Sequence, residues 1–174
     1  MIVAFVRSPL VWILAFVAAQ RLGELGLASA NTRRLLARGG REVGRDHYWM
    51  LIVLHASWLV AIALTTPIQR APIWPLVAIF VLLQAARVWV IATLGSYWTT
   101  RIITLDEAPL VRGGPFRFVR HPNYLIVACE IAVLPLAFGN WPVAIVWSLA
   151  NAAVLSHRIR VEMAALAGRV AEKA

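Results

Sequence analysis

The sequence predicts an all-α integral membrane protein with about five transmembrane helices, and its composition, apolar runs and arginine placement carry this prediction. Of the 174 residues, 61% are hydrophobic and 14% are charged, whereas soluble domains average about 45–50% apolar and about 25% charged residues. This balance disfavours a soluble globule. The length fits one membrane domain, residues 1–174, with three spans in 1–94 and a polar loop, a helical hairpin and a C-terminal helix in 95–174.

Five apolar runs approach the roughly 17–25 residues that a bilayer-crossing helix needs. The first three are predicted at about 9–28, 48–66 and 73–94. The last two, at about 124–138 and 141–156, are shorter, which suggests tilt or shielding by the rest of the protein. A Gly-Asn-Trp-Pro turn signal separates these two runs, so they are predicted to form a tight helical hairpin.

The placement of the basic residues predicts the orientation in the membrane. Sixteen of the 17 basic residues are arginines, and thirteen of the 17 lie in the segments 29–47, 95–122 and 157–174. Five spans put these three segments on one face, which the positive-inside rule makes the cytoplasmic face. We therefore expect an outside N-terminus and a cytoplasmic C-terminus. The composition is typical of a bacterial chain, so the expected location is the bacterial inner membrane. The same rule accounts for the net charge of +9, so no nucleic-acid partner is needed.

The cysteine, small-residue and tryptophan content limits the covalent bridges, metal sites and contacts that the chain can form. Cys129 is the single cysteine, which excludes an intrachain disulfide and a cysteine-based zinc site, and no other spacing fits a metal site. No small-residue repeat in the spans requires a dimer, so the oligomeric state is left open. Four tryptophans at predicted span ends fit an interfacial belt, and they are Trp49, Trp74, Trp98 and Trp141.

Charged and polar residues inside the predicted spans are candidates for function, because a charge in the bilayer is costly. Arg21 and Glu24 are three residues apart and can pair on one helix. Arg87 and Glu130 can form a structural ion pair, or both can contact a substrate. His55, near the middle of the second span, is interpreted as a packing histidine that makes a hydrogen bond, with haem ligation as the alternative.

The densest polar signal runs from residue 110 to residue 124, LVRGGPFRFVRHPNY. Its Gly-Gly-Pro predicts a sharp turn, and Pro122 suits the first turn of a helix. Arg120, His121, Asn123 and Tyr124 therefore collect where a helix enters the membrane, which suits the binding of an anionic or polar ligand from the cytoplasm. A basic interfacial collar is the alternative interpretation.

A second polar group follows the fifth span. Arg158 and Glu162 are four residues apart on one helical face, with the cation first, which is the less favourable order for a salt bridge. This order favours two separate ligand contacts over a pair. Both polar groups flank the predicted hairpin on the cytoplasmic side and could converge on one pocket.

At these two polar groups the sequence resembles the isoprenylcysteine carboxyl methyltransferase family, small membrane enzymes that use S-adenosylmethionine. The resemblance covers roughly residues 95–170, and the first three spans look closer to a bacterial subgroup of the family. The matching elements are Leu110-Val111, Gly114-Pro115-Phe116, Arg120-His121-Pro122-Asn123-Tyr124, and Arg158 with Glu162.

The resemblance implies a role for each matched residue. Arg158 faces the substrate and holds its anion, and His121 is available as a base for a phenol or an enol. The chain departs from the family pattern at three positions: Phe116 replaces a common Tyr, Ile126 a common Gly and Met163 a common Glu. These differences affect the fine shape of the implied cofactor pocket. The implied contacts with S-adenosylmethionine are made by Leu110, Val111, His121, Pro122, Asn123, Tyr124 and Glu162.

The predicted activity is methyl transfer to a carboxylate, enol or phenol oxygen of a lipophilic acceptor at the cytoplasmic membrane face. Arg158, Arg87 and Glu130 are the candidate substrate contacts. Three alternatives stay open, two of them enzymes and one a protein of a different class. They are a phospholipid N-methyltransferase, an NADPH-dependent membrane reductase of sterol-like substrates, and a haem-binding or scaffolding membrane protein without enzymatic activity.

Overall fold

The computed structural model describes residues 7–105, 108 and 111–171, with side chains described as far as residue 165. The described chain is mostly helical and contains five α-helices and one two-stranded sheet. The helices are α1 (Pro9–Ala37), α2 (Tyr48–Thr65), α3 (Trp74–Leu94), α4 (Pro122–Ala137) and α5 (Trp141–Ala171). The strands are β1 (Arg41–Val43) and β2 (Ile102–Thr104), and short 3₁₀ turns occupy Arg45–His47, Gly95–Tyr97 and Gly114–Arg117.

Length and composition show which helices suit a membrane. Three segments of the described chain are long and apolar enough to cross a bilayer, and they are Pro9–Ala37, Arg45–Thr65 and Trp74–Tyr97. Helix α4 is apolar but has 16 residues. The prediction of a mostly helical protein with long apolar spans is confirmed, whereas the count of five spans and the outside N-terminus stay predictions.

Helix α1 extends further than the predicted span, and the predicted C-terminal helix is continuous with the fifth predicted span. Helix α1 continues past residue 28 to Ala37, and the buried Asn31 amide in this part donates to the carbonyl oxygens of Gly95 at 3.1 Å and Trp98 at 2.8 Å. Helix α5 continues past residue 156, so its polar second half is rigidly joined to the apolar hairpin. The prediction of an all-α fold also omits the antiparallel β1–β2 pair, in which Val43 lies opposite Ile102.

A glycine turn joins α4 to α5, as the sequence predicts. Gly139 has a φ of 68°, a conformation that glycine adopts without the steric cost of a side chain. Its amide donates to the Leu136 oxygen, and the Asn140 amide donates to the Pro135 oxygen, both at 2.9 Å, which closes the C-terminus of α4. The Asn140 side chain donates to the Thr65 hydroxyl at 2.8 Å, so the hairpin is fixed against the end of α2.

The core lies among the helices, and the outer surface is also apolar. Trp58 is buried, and its indole N–H donates to the Ile131 oxygen at 3.2 Å, which ties α2 to α4. Large apolar side chains such as Leu22, Leu64 and Leu82 point outward. An exterior of this kind suits lipid rather than water.

The four tryptophans predicted for an interfacial belt do not behave alike. Trp49, Trp74 and Trp141 are exposed at helix ends, as a belt requires. Trp98 is only 2% exposed, and its carbonyl oxygen accepts from Asn31. The belt prediction is therefore wrong for Trp98, which packs inside the protein.

Candidate functional site

A cavity of about 680 Å³ lies where α2 and α4 begin and α3 ends, and all five helices contribute to its wall. The polar part of the wall comes mainly from Tyr48, Thr100, Arg120, His121, Asn123, Tyr124, Arg158 and Glu162. The apolar part includes Leu22, Leu25, Leu51, Ile52 and Leu59. The two polar groups predicted from the sequence therefore meet in one amphipathic cavity.

Tyr124 is the centre of the polar part. Its hydroxyl accepts a hydrogen bond from Arg158 Nε at 2.9 Å and donates to Glu162 Oε2 at 2.5 Å. The first turn of α4 supplies the tyrosine, and α5 supplies the arginine and the glutamate one turn apart. Arg158 and Glu162 are linked through this hydroxyl, with no direct salt bridge between these two described side chains.

Arg158 is buried and held in one orientation. Its side chain donates from Nε to Tyr124 and from Nη2 to the Thr100 carbonyl oxygen at 2.6 Å. Within the described part of the chain, Nη1 makes no hydrogen bond. A buried guanidinium that is fixed at two nitrogens and free at the third suits an anionic ligand oxygen.

His121 and Asn123 flank Pro122, which begins α4 as predicted. The His121 ring stacks on the Tyr124 ring, with centroids 5.5 Å apart and planes inclined by 20°. Asn123 Oδ1 is buried and has no hydrogen-bond partner among the described residues, although the side chain lies at the cavity wall. A buried acceptor without a partner is costly, so this oxygen suits an N–H or O–H of a ligand.

Gly114 brings the loop before α4 against α3. Its φ is 54°, and a Cβ atom there would lie 2.6 Å from Thr93 Oγ1, so a larger residue would push the loop away. Pro115 follows and is buried, and Phe116 lines the cavity. The Gly-Gly-Pro turn of the sequence therefore positions one wall of the site.

Tyr48, Thr100 and Arg101 also shape the site and were not predicted from the sequence. The Tyr48 and Thr100 hydroxyl oxygens are 2.9 Å apart and hydrogen bonded. The Arg101 guanidinium lies 4.9 Å from the centre of the Tyr48 ring and donates to Glu42 at 2.8 Å. The signal that could have identified this segment is the polar and aromatic run SYWTTR at residues 96–101.

A cluster of four charged residues lies deeper along the helices. Glu24 accepts from Arg87 Nε at 2.7 Å, from Arg87 Nη2 at 2.9 Å and from Arg21 Nη1 at 2.8 Å. Glu130 Oε2 accepts from Arg21 Nη2 at 2.5 Å and Arg87 Nη1 at 3.2 Å, and its Oε1 accepts from Gln84 at 2.9 Å. Both ion pairs considered from the sequence form, and they join into one cluster with no net charge.

The structure places most of the predicted site residues at the cavity. Leu110 lies outside the described residues. Arg87 is at the cavity wall with Arg21 and Glu24, whereas Glu130 is 1% exposed and lies behind that wall. The other predicted contacts all line the cavity, and they are Val111, His121, Pro122, Asn123, Tyr124, Arg158 and Glu162.

Two bacterial proteins are similar to this chain over most of its length. An uncharacterized protein of Bacillus subtilis, YpbQ, is 34% identical over 160 residues, which are 89% of this chain and 95% of that protein. An uncharacterized protein of Haemophilus influenzae is 26% identical over 157 residues, which are 87% of this chain and 91% of that protein. No solved structure matches significantly.

The family comparison agrees with the geometry of the site. The sequence profile of the isoprenylcysteine carboxyl methyltransferase (ICMT) family matches residues 76–168, more than half of the 174 residues. The matched range includes both polar groups that meet in the cavity. The chain therefore belongs to the isoprenylcysteine carboxyl methyltransferase family of membrane methyltransferases.

Proposed function

We propose that the protein transfers a methyl group from S-adenosylmethionine to an oxygen of a lipophilic acceptor at the cytoplasmic face of a bacterial inner membrane. The amphipathic wall of the cavity is the observation that supports this most. Its apolar side chains include Leu22 and Ile52, which are largely exposed, and the charged and polar side chains of Arg158 and Glu162 belong to the same wall. A charged cofactor and a lipid-soluble acceptor can therefore reach one place from different sides.

The polar side chains of the cavity fit the groups of S-adenosylmethionine, which members of this family normally use. Glu162 and Asn123 offer acceptor oxygens to an ammonium or hydroxyl group, and Arg120 offers a positive charge to a carboxylate. The stacked rings of His121 and Tyr124 offer a flat surface to an aromatic base. Packing contacts come from Val111 and Pro122 at the wall, and we assign Leu110 to the same role.

The chain contributes alignment and exclusion of water to the reaction. The chemistry that S-adenosylmethionine supplies when bound is an electrophilic methyl group on a positively charged sulfur. Holding an acceptor oxygen in line with such a group, away from water, lowers a barrier by several kcal/mol. The buried Arg158 side chain, held by Tyr124 and Thr100, suits this task.

Arg158 and His121 are the proposed catalytic residues. Arg158 Nη1 binds the acceptor oxygen, orients it and favours its ionised form. A carboxylate acceptor needs no base, because it is ionised at neutral pH. A phenol or an enol gives its proton to His121, which lies beside Tyr124 at the same wall.

Arg87 and Glu130, the candidate acceptor contacts in the deeper charged cluster, differ in whether they reach the cavity. Arg87 lies at the cavity wall and can contact an acceptor directly. Glu130 lies behind the wall and acts through Arg87 and Arg21, whose guanidinium groups it holds. Their proposed role is to shape the part of the cavity that receives the apolar portion of the acceptor.

Isothermal titration of the detergent-purified protein with S-adenosylmethionine and S-adenosylhomocysteine tests the proposal, with NADPH as the control ligand. We expect micromolar binding of the first two compounds and none of NADPH. Binding of NADPH alone would support a reductase. No binding of any of the three would contradict the methyltransferase assignment.

Variants then separate the cofactor contacts from the acceptor contact. We expect His121→Ala and Glu162→Ala to weaken S-adenosylmethionine binding by roughly tenfold or more, because each removes a polar or stacking contact. Arg158→Ala should leave this binding within about twofold and abolish methyl transfer. Arg160→Ala is the matched control, because Arg160 is on the same helix but exposed, and its side chain donates to the Ser156 oxygen. Full turnover of Arg158→Ala would contradict the proposed role of Arg158.

A further inference from the structure

We propose that His55 binds a neutral hydroxyl group of the methyl acceptor at a second polar position, deeper in the same cavity. The inference rests on the proposed function and adds a substrate class to it. The acceptor is then a lipophilic molecule that carries a hydroxyl along its apolar part, besides the oxygen that is methylated.

His55 lies on the cavity wall well away from the polar part that Tyr124 organises. It follows Tyr48 by seven residues on α2, which corresponds to about 10 Å along the helix axis. Both side chains line the cavity, and the wall near His55 includes Leu51, Ile52 and Leu59. A polar ring within a membrane-spanning helix is costly unless its nitrogens have hydrogen-bond partners.

One nitrogen of His55 has such a partner and the other does not. Nδ1 lies 2.8 Å from the Leu51 carbonyl oxygen, which can only accept, so Nδ1 carries the hydrogen. In the neutral ring that a membrane interior favours, Nε2 then keeps its lone pair. No hydrogen bond to Nε2 occurs within the described part of the chain. His55 therefore presents a hydrogen-bond acceptor to the cavity.

The charged cluster beside His55 favours a neutral partner over an ion. Arg21, Glu24 and Arg87 line the same cavity, and together with Glu130 they carry no net charge. Both carboxylate oxygens of Glu24 are already hydrogen bonded, to Gln20 and to the two arginines. Neither a free carboxylate nor a net positive charge is left to attract a charged ligand. A neutral hydroxyl that donates to Nε2 satisfies the ring without disturbing the cluster.

Ser57 provides a matched control on the same helix. Its hydroxyl donates to the Leu54 oxygen at 3.1 Å and accepts from the Trp147 indole N–H at 3.1 Å. The hydrogen-bonding capacity of Ser57 is thus used inside the protein. In contrast with His55, its side chain has no place at the cavity wall within the described chain.

The experiment uses hexadecanoic acids in which a single hydroxyl is moved along the chain, with unsubstituted hexadecanoic acid as the reference. The carboxylate serves as the oxygen that Arg158 binds, and the hydroxyl position measures the distance to His55. Affinity is measured by isothermal titration of the full-length protein in detergent, with and without S-adenosylhomocysteine. The affinity of each hydroxylated acid is corrected for its measured partitioning into micelles and expressed relative to the reference acid, and this ratio is compared between the wild type and each variant.

We expect the wild type to bind the acids hydroxylated at one position, or at neighbouring positions, about five- to tenfold more tightly than the reference acid. The gain should disappear in His55→Leu, persist in Ser57→Ala and be partly retained in His55→Gln, whose amide oxygen can accept. Affinity for the reference acid should stay within twofold in His55→Leu, which shows that the cavity is intact.

Three outcomes would overturn the assignment of His55. They are equal binding of all the acids by the wild type, a gain that persists in His55→Leu, and a loss in His55→Leu that is the same for every acid. The last result would identify His55 as a packing residue. Methyl transfer and S-adenosylhomocysteine binding are measured separately from the hydroxyl preference, so that the two proposals can fail independently. Normal cofactor binding without a hydroxyl preference contradicts the role of His55, whereas a hydroxyl preference without cofactor binding contradicts the proposed methyl transfer.

Discussion

At the scale of single side chains, the Tyr124 hydroxyl sets the orientation of two charged groups. It accepts from Arg158 and donates to Glu162, so both charged side chains are held by hydrogen bonds to the same hydroxyl. Hydrogen bonds to charged groups are stronger than neutral ones. A single hydroxyl therefore couples the proposed acceptor contact to the proposed cofactor contact.

Tyr124→Phe should lower methyl transfer by roughly ten- to hundredfold, because it removes the two charge-assisted hydrogen bonds and keeps the ring that stacks on His121. S-adenosylmethionine binding should weaken less than turnover does, and the melting temperature should change little. Steady-state kinetics with an identified acceptor, together with calorimetric titration, measure both effects. Turnover within twofold of the wild type would contradict the coupling.

Sequence patterns identified part of this residue network and missed the rest for a physical reason. Tyr124, Arg158 and Glu162 were predicted because they lie in two dense motifs with helical spacing. Tyr48 and Thr100 were not predicted, because their contribution depends on contacts between segments that are distant along the chain. The Arg158–Thr100 bond also uses a backbone oxygen, which carries no sequence signal.

At the scale of elements, the buried charge cluster ties α1 to α3 and α4. Arg21 and Glu24 come from α1, Arg87 from α3 and Glu130 from α4. Removing one member of such a buried cluster leaves the remaining charges uncompensated, whereas an exposed pair has water to replace the lost partner. The cluster therefore makes the relative positions of three helices depend on four side chains.

Glu24→Ala should lower the free energy of unfolding by about 3–5 kcal/mol, because Arg21 and Arg87 each lose one of two carboxylate partners and the buried cluster is left with a net positive charge. Glu42→Ala is the control, because its partner Arg101 is partly exposed, and its effect should stay within about 1 kcal/mol. Unfolding of both variants in detergent provides the measurement. Similar stabilities of the two variants would show that the cluster does not hold the helices together.

The loop that enters α4 gives a second prediction at this scale. Gly114→Ala should weaken S-adenosylmethionine binding by about tenfold or more, because its Cβ would meet Thr93 at a φ of 54° and push the loop away. Gly113→Ala is the matched control, because no atom lies within 4 Å of a Cβ there and its φ is −86°. Equal affinities of the two variants, measured by titration, would contradict the positioning role of Gly114.

Element boundaries also show what the sequence could and could not specify. Apolar runs located α2, α3 and α4 to within about two residues, because hydropathy decides where these helices lie. The first span was predicted to end near residue 28, and a C-terminal helix was predicted after the hairpin, whereas α1 runs to Ala37 and the C-terminal helix is continuous with the fifth span. Asn31 and Arg158 are buried in these polar segments by hydrogen bonds to distant segments, which the sequence does not show.

At the scale of the whole molecule, the segments rich in basic residues lie at the same end of the helices as the polar part of the cavity. The segments rich in arginine include those that contribute Arg101, Arg120 and Arg158 to the cavity wall. The positive-inside rule puts such segments in the cytoplasm. The proposed supply of the cofactor from the cytoplasm therefore requires the orientation that places the polar part of the cavity on the cytoplasmic side.

Reporter fusions test this orientation. Green fluorescent protein fused after residue 174 should fluoresce in bacterial cells, because the C-terminus is expected in the cytoplasm. Alkaline phosphatase fused after residue 70, between α2 and α3, should be active, because that segment is expected outside. A dark C-terminal fusion together with an inactive phosphatase fusion would reverse the orientation and place the cavity on the wrong side for a cytoplasmic cofactor.

The shortness of α4 has a consequence for the lipid around the protein. Its 16 residues measure about 24 Å along the axis, less than the roughly 30 Å of hydrocarbon in a typical bilayer. On the predicted five-span topology α4 crosses the bilayer, with Tyr124 at one end and the glycine turn to α5 at the other. A change in bilayer thickness is then expected to tilt the hairpin and displace Arg158 relative to Thr100. On that topology, thin membranes should favour the proposed reaction over thick ones.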